Sequence, residues 1–183
     1  MTRVAIFIDG AYLGYLLKDE FGLVKIDYKA LAEKMADGVD ILRTYYYHCP
    51  PFQSSNPTQE ETERFARAQS FFKALDRLPR FEVRLGRLAH RGFDANGQPI
   101  FEQKRVDIML GVDLALLSGK NQITHAALLA GDSDFIPAVL AAKNEGVLVR
   151  LYHGRNYHKD LWDCIDERFP ITKGFIEAIT LAP

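Results

Sequence analysis

The chain has 183 residues, of which 48% are hydrophobic and 26% are charged, and its formal net charge at pH 7 is −1. This length and composition supply enough apolar material for a hydrophobic core, which excludes intrinsic disorder. We therefore predict a single globular domain over residues 1–183. A net charge near zero does not by itself indicate a nucleic acid or an acidic partner.

The sequence has no segment typical of export, membrane insertion or disulfide bonding. The apolar run from Val4 to Ile8 is too short for a signal peptide and ends at Asp9. No stretch approaches the length of a membrane span. Cys49 and Cys164 are isolated, so neither a disulfide framework nor a zinc site is indicated. We expect a cytoplasmic protein that has no membrane partner.

Predicted strands and helices alternate along the first half of the chain. Residues 3–8 (RVAIFI) are typical of a buried strand, and the β-branched and aromatic stretch 39–48 predicts a second strand. Apolar residues at helical spacing predict helices over 11–20 and 28–36. The segment 50–59 (PPFQSSNPTQ) contains three prolines that break both patterns, so it is predicted to be a loop.

The second half continues this alternation. Thr58 followed by Glu61 resembles a capping box at the start of a helix. Residues 81–89 alternate like a strand, and the Asn-Gly pair in "FDANGQPIF" is typical of a tight hairpin turn. The remaining predicted elements are helices over 106–117 and 135–144 and strands over 126–130 and 147–152.

Strands that alternate with helices predict an α/β fold, a three-layer α/β/α sandwich with a central, mainly parallel sheet. In such a sheet, functional groups collect beyond the carboxyl ends of the strands. Asp9 directly follows the first predicted strand, and Asp132 and Asp134 follow the strand over 126–130. Two distant segments are therefore predicted to bring carboxylates to the same edge of the sheet.

A third segment, "EQKRVDIMLGVDLALL", adds further aspartates. Asp107 lies in the first turn of a predicted helix, and Asp113 follows six residues later. At roughly 100° per residue the two are separated by about 120° around the helix axis, so one helical face does not hold both. Asp107 is the better candidate for the shared site, and Asp113 is predicted to support it or to reach a second ion.

Helix capping is the alternative explanation for these aspartates. Asp107 would complement the positive end of its helix, and Ser133 or Asp134 would be an N-cap. For a lone aspartate this explanation is the more common one. It accounts less well for four aspartates at the ends of three elements that share one sheet edge.

Carboxylates without Cys or His are the ligands of hard cations, which here indicates Mg²⁺ or Mn²⁺ rather than zinc. Such ions offset the repulsion between neighbouring carboxylates, polarise a phosphodiester and lower the pKa of a bound water. One aspartate would then accept the proton of that water as a general base. The pattern therefore favours phosphoryl transfer.

Basic and aromatic residues are the other features that bear on a nucleic-acid substrate. Five arginines fall within residues 77–91, where they form either a phosphate-binding surface or a solvated strand and loop. Tyr45, Tyr46 and Tyr47 form a run in the second strand, and at least one is expected in the core. Phe52 in the following loop is open to base stacking. The segment 152–159, with Tyr157 and His158, is a further candidate lining of the groove.

Three blocks of the sequence, "VAIFIDG", "KRVDIMLGVD" and "LLAGDSDFIPAV" followed by "GVLVRLY", resemble the NYN domain family. The resemblance is to its bacterial LabA-like (DUF88) branch, whose members are relatives of PIN-domain nucleases. It implies a PIN-like fold and a Mg²⁺- or Mn²⁺-dependent ribonuclease, with RNA favoured over DNA. Position by position, it implies catalytic and metal-binding aspartates at Asp9, Asp107, Asp132 and Asp134. Asp113 matches a further aspartate, and Lys104 and Ser133 match positions that contact substrate phosphate.

The sequence departs from the family pattern at two positions. Many members have Asn three residues after the first aspartate, where this chain has Tyr12, whose hydroxyl also forms hydrogen bonds. The residue after the lysine of the middle block is usually Gly, and here it is Arg105, which adds positive charge where a phosphodiester would lie. Both residues are therefore counted among the candidate substrate-binding positions.

Three functions remain open from the sequence. The first is a metal-dependent nuclease acting on RNA, and the second is a non-catalytic or weakly catalytic nucleic-acid-binding module, which the change at Tyr12 favours. The third is a phosphotransferase that uses Asp9 as nucleophile. Enzymes of the haloacid dehalogenase type place a second aspartate two residues after the first, and here that residue is Ala11. A homo-oligomer is compatible with the sequence but is not indicated by it.

Overall fold

The computed structural model describes residues 2–97 and 99–181. Gln98, in the predicted hairpin turn, lies outside the described residues. In chain order the helices and strands are β1 (Arg3–Asp9), α1 (Gly10–Asp19), α2 (Tyr28–Ala36), β2 (Asp40–His48), α3 (Gln59–Asp76), β3 (Phe81–Leu85), β4 (Arg87–Phe93), β5 (Pro99–Lys104), α4 (Val106–Gly119), β6 (His125–Leu129), α5 (Ile136–Asn144), β7 (Leu148–His153), α6 (Lys159–Cys164), β8 (Glu167–Pro170) and α7 (Lys173–Glu177). A short 3-10 helix, Ser133–Phe135, precedes α5.

Six strands form a parallel sheet in the order β3-β2-β1-β6-β7-β8. Helices cover both faces, because alternate residues of each central strand point in opposite directions and both sets are apolar. Val4, Ile6 and Ile8 of β1 pack with α1, α2, α3 and α7. Ala5 and Phe7 pack with α4, α5 and α6. The predicted three-layer α/β/α sandwich is confirmed.

The tyrosine run of β2 belongs to the core. Tyr45, Tyr46 and Tyr47 are all buried, with Tyr46 in the layer of α1 and the other two in the layer of α4. The prediction that at least one of them is a core residue is confirmed. The capping box is confirmed as well, since the side chains and backbone amides of Thr58 and Glu61 are joined by reciprocal hydrogen bonds at the start of α3.

The predicted strand over 81–89 is wrong in its extent, because the chain leaves the sheet at Gly86. A Cβ on Gly86 would lie 2.5 Å from the carbonyl oxygen of Lys104, so only glycine fits where the two ends of the following hairpin meet. β4 and β5 then form a separate antiparallel hairpin, as the Asn-Gly pair predicted. The elements α6, β8 and α7 were not predicted, since each has only four to six residues.

Candidate active site

Parallel strand ends bring the first candidate residues together. β1 and β6 are neighbours in the sheet, with Ile8 paired to Leu129. Asp9 is the last residue of β1, and Asp132 follows β6 by three residues, so both lie at the carboxyl edge. Asp107 lies in the first turn of α4 and is near enough for its charge to act on Asp9 at this edge.

Asp9 also caps the helix that follows it. Its Oδ1 accepts hydrogen bonds from the backbone amides of Ala11 at 3.0 Å and Tyr12 at 3.1 Å. An aspartate in this position satisfies amides that have no partner within the helix and complements the positive end of the helix dipole. Both of these bonds go to Oδ1, so capping does not occupy Oδ2.

Asp132 has the same double role at the second strand end. Its Oδ1 accepts a hydrogen bond from the backbone amide of Asp134 at 3.0 Å and caps the 3-10 helix. The prediction that Ser133 or Asp134 would be the N-cap is therefore wrong, because Asp132 caps this turn. Asp132 and Asp134 are exposed, and Ser133 between them is half-buried.

The aspartates influence one another electrostatically. The pKa of Asp9 is raised to about 6, mainly by burial and to a smaller extent by the charges of Asp107 and Asp132, although the two capping amides lower it. The pKa of Asp107 is also raised, first by partial removal from solvent and then by the charges of Asp132 and Asp134. The four carboxylates thus form one electrostatic cluster.

Two cavities divide this acidic cluster. One, of about 430 Å³, contains Asp9 and Asp132 in its wall. The other, of about 660 Å³, lies between α4 and α5 and is lined by Asp107 and Asp134. Asp132 and Asp134 face different cavities although they are two residues apart, which places the 3-10 helix at the boundary between the cavities.

Asp113 has other partners. Its Oδ2 accepts a hydrogen bond from the hydroxyl of Tyr47 at 2.8 Å and another from Nε of Arg84 at 3.2 Å. These contacts join α4 to β2 and β3. The fourfold cluster and Asp113 are therefore distinct groups, and the contacts of Asp113 give it a part in packing α4 against the sheet.

Tyr12 forms one wall of the first cavity. Its hydroxyl donates to the carbonyl oxygen of Asn156 at 2.7 Å and accepts from the amide of Gly154 at 3.0 Å. Its ring lies against Gly131, where a Cβ would be 2.4 Å from the ring. Tyr12 therefore fastens the segment after β7 to α1, and its hydroxyl is engaged by the backbone rather than directed at a ligand.

Lys104 and Arg105 line the second cavity together with Asp107 and Asp134. Lys104 forms an ion pair with Glu102. Arg105 is exposed and is the residue before α4, with φ 77° and ψ −19°, in a region that favours glycine. The family's usual glycine at this position thus matches the backbone conformation, and this chain keeps the conformation with an arginine.

The segment after β7 completes the first cavity with Asn156, Tyr157 and His158. Tyr157 and His158 were among the sequence candidates, whereas Tyr152 and His153 of the same stretch are buried. Asn156 was missed. The sequence could have indicated Asn156 as a candidate, because it follows the predicted strand that became β7 and ligands bind beyond the carboxyl ends of parallel strands.

The oxygen donors of the cluster are chemically suited to Mg²⁺ or Mn²⁺. Their spacing is wider than a closed metal site requires. Among residues 2–97 and 99–181, no three His, Cys, Asp or Glu side chains lie close enough together to hold an ion. By their donor type, one or two of these carboxylates could bind a divalent cation. Among the described residues they do not form a preformed cage around it.

The fold and its acidic edge define the class as PIN-like, an α/β/α sandwich with aspartates beyond the carboxyl ends of central strands. The family model described as NYN domain matches residues 3–170. The chain therefore belongs to the NYN domain family, which is part of the PIN-like nuclease superfamily and implies a nucleic-acid substrate. Membership of the LabA-like branch remains a prediction.

A solved structure of a similar protein supports the fold. A crystal structure of a protein of unknown function from Vibrio parahaemolyticus matches with a TM-score of 0.62 and 20% identity, over 98% of this chain and 96% of that one. MurG from Acinetobacter baumannii matches with a TM-score of 0.41 and 10% identity, over 100% of this chain and 44% of that one. A comparison with curated proteins gives no match. In the described part of the chain, no helix combines the length and hydrophobicity that crossing a bilayer requires.

Proposed function

We propose that this protein is a metal-dependent ribonuclease that hydrolyses phosphodiester bonds at its acidic edge. The observation that carries the proposal is the electrostatic cluster of four aspartates, since the pKa values of Asp9 and Asp107 are raised first by burial and then by the charges of neighbouring carboxylates. Clustered carboxylates destabilise one another unless protons or cations offset their charge. Family membership supplies the expectation that a nucleic acid binds there.

The aspartates would hold Mg²⁺ or Mn²⁺, and Asp113 is not needed for this. A bound cation would polarise the phosphodiester and make an attacking water more acidic. Asp9 is suited to accept the proton of that water, because a pKa of about 6 lies near neutral pH. Lys104, Arg105 and Ser133 would hold the phosphate backbone, since ammonium, guanidinium and hydroxyl groups donate hydrogen bonds to phosphate.

A non-catalytic nucleic-acid-binding module is the alternative. It is favoured by two observations, the wide spacing of the carboxylates and the engagement of the Tyr12 hydroxyl by backbone groups. In this function the acidic edge would lie beside a bound strand without cutting it. The basic residues would still provide affinity through contacts with phosphates.

The test is cleavage of labelled single-stranded and structured RNAs and DNAs in Mn²⁺, in Mg²⁺ and in EDTA. The wild type is compared with Asp132→Asn, because an asparagine keeps the capping hydrogen bond to the amide of Asp134 and removes the charge. We expect cleavage that needs the metal, prefers RNA and is lost in the variant.

Asp27→Asn is the matched control. Asp27 caps α2 by accepting from the amides of Lys29 and Ala30, as Asp9 caps α1, but it lies outside both cavities of the site. It should cleave like the wild type. If the wild type binds RNA and cleaves nothing in either metal, the binding module replaces the nuclease. If Asp132→Asn cleaves normally, the site is not at this edge.

A further inference from the structure

Four aromatic rings form a cluster on one side of the β4–β5 hairpin. The aromatic cluster consists of Phe52, His90, Phe93 and Phe101. The ring centres of Phe52 and Phe101 are 5.0 Å apart, those of His90 and Phe93 5.1 Å, and those of His90 and Phe101 5.6 Å. The surface is accessible, since Phe93 is 67% exposed and Phe101 is 39% exposed.

The pairing of the strands explains why the rings share one face. His90 and Phe101 are directly opposite each other, so their side chains point to the same side of the hairpin. A register shift between His90 and Phe93 keeps Phe93 beside His90. The adjacent pair, Ala89 and Glu102, therefore faces the other side, where Glu102 forms ion pairs with Arg91 and Lys104.

The aromatic cluster belongs to neither hydrophobic core among the described residues. Single exposed apolar side chains are ordinary on protein surfaces, whereas a contiguous exposed patch indicates an interaction site. The hairpin lies outside the six-stranded sheet, so the rings contribute to the hairpin itself rather than to the packing of that sheet.

Both ends of the hairpin are fixed at the acidic edge. β3 is parallel to β2 and ends at Leu85, and β5 ends two residues before α4, whose first turn contains Asp107. The close approach of Gly86 to the carbonyl of Lys104 joins these two ends. Lys104 faces the side of the hairpin opposite the rings, so a strand that lies over the aromatic cluster would reach the aspartates around the base of the hairpin, where Arg105 precedes α4.

The charge of the hairpin is suited to an anionic ligand. Residues 86–105 contain four basic and two acidic residues, a net charge of +2, whereas the whole chain has a net charge of −1. Single strands bind where exposed rings stack with bases and cations contact phosphates. Here the rings lie on one face of the hairpin, and Arg91 and Lys104 lie on the other. A duplex cannot use such rings, since its bases are already stacked within the helix.

We propose that the aromatic cluster is a stacking platform that binds unpaired bases and delivers a single-stranded nucleic acid to the acidic edge. This inference rests on the proposed function and deepens it by naming the substrate form. Stacking itself accepts bases of RNA and DNA alike. Phe93 is the principal contact because it is the most exposed of the three phenylalanines in the cluster.

The test measures binding in EDTA, where metal-dependent cleavage does not interfere. Labelled single-stranded RNA, single-stranded DNA and a duplex of the same composition are titrated with the wild type, Phe93→Ala, Phe93→Trp and Tyr15→Ala. Tyr15 is a matched control, an aromatic residue that is 45% exposed on α1. We expect Phe93→Ala to weaken single-strand binding by about tenfold, the order expected for one lost stacked base. Duplex binding and the Tyr15→Ala variant should be unchanged.

Phe93→Trp provides a second readout in case truncation perturbs the hairpin. It should bind as tightly as the wild type, and its added fluorescence should be quenched by single strands but not by the duplex. Equal single-strand affinity of Phe93→Ala and wild type, together with no quenching, overturns the platform. The nuclease is unaffected by that result if metal-dependent cleavage persists.

The remaining outcomes separate the two proposals. Loss of single-strand binding in Phe93→Ala without cleavage by the wild type supports the platform and overturns the nuclease. A wild type that neither binds nor cleaves nucleic acid overturns both. If Phe93→Ala instead abolishes self-association and leaves binding unchanged, the surface contacts a second copy of the chain and the platform is overturned.

Discussion

Arg105 has a backbone conformation that suits glycine, in a sequence family whose members usually have glycine there. Its φ of 77° and ψ of −19° lie near those of the third residue of a type II turn, which requires φ above zero. The residue is exposed, so packing does not compensate for this conformation. We predict that Arg105→Gly makes the protein more stable and a weaker binder of nucleic acid.

The magnitude follows from two opposing effects. A non-glycine residue in such a region costs about 1–3 kcal/mol. Glycine loses about 0.5–1 kcal/mol more conformational entropy on folding. The net gain in the free energy of unfolding is about 1 kcal/mol, which corresponds to about 2–4 °C in the melting temperature of a domain of this size.

Binding changes in the opposite direction. Arg105 lines the cavity that contains Asp107 and Asp134, and it follows Lys104, so it would contact the phosphates of a bound strand. Losing one phosphate contact reduces the slope of log affinity against log salt by about 0.7 for a single strand. Affinity should therefore fall most at low ionic strength, where counterion release contributes most.

The assays are thermal unfolding in EDTA and titration of labelled single-stranded RNA at several salt concentrations. Arg105→Ala is the matched control, because it removes the charge and retains the conformation that disfavours side chains. It should bind as weakly as Arg105→Gly without the gain in stability. An unchanged melting temperature of Arg105→Gly refutes the backbone argument, and an unchanged salt slope refutes the phosphate contact.

Three further substitutions probe the site. Asp9→Asn keeps the cap and removes a carboxyl group whose pKa is about 6 in the folded protein against an ordinary value of 3.8. In EDTA and above pH 7, this substitution should therefore raise the free energy of unfolding by up to about 3 kcal/mol. Well below pH 4 the Asp9 carboxyl of the wild type is protonated in both the folded and the unfolded chain, so the gain in stability should vanish as the pH falls from about 6 to 4. Urea unfolding at several pH values measures this, and a gain that does not depend on pH would contradict the raised pKa of Asp9. Tyr12→Phe leaves the amide of Gly154 without its acceptor and should cost about 1–2 kcal/mol in the same assay; an unchanged midpoint would show that this hydroxyl does not fasten the segment. Asp113→Asn keeps an oxygen that accepts from Tyr47 but loses the charge that pairs with Arg84, so it should lower stability by up to about 1 kcal/mol while leaving metal-dependent cleavage intact. Loss of cleavage would show that Asp113 belongs to the metal site.

The sequence predicted the sandwich because its central strands are short apolar runs between helices. Residues 3–8 and 126–130 contain apolar side chains on both faces, a pattern that only a sheet covered on both sides requires. The order of elements then placed Asp9 and Asp132 at one edge without any knowledge of their distance. These inferences depend on local pattern and topology, which one sequence contains.

The partners of individual side chains were not accessible in the same way. Asp113 is bound by Tyr47 and Arg84, which are far from it in the chain, so helical spacing separated it from Asp107 without revealing where it points. The end of β3 was also misjudged. Gly86 interrupts the alternating pattern by only one residue, and its role depends on a contact with Lys104 across the hairpin.

Capping and metal binding are not competing explanations at this edge. Asp9 and Asp132 cap the turns that follow β1 and β6, and each of the hydrogen bonds described for these caps uses Oδ1. An aspartate at a strand-to-helix junction is held in place by the same amides that keep its second oxygen at the edge of the sheet. Asparagine would cap as well and would avoid both the burial of a charge and the weaker repulsion by neighbouring carboxylates, which raise the pKa of Asp9. The negative charge of Asp9 complements the helix dipole but is unfavourable on balance in the folded protein, and the cation of the proposed function would offset it.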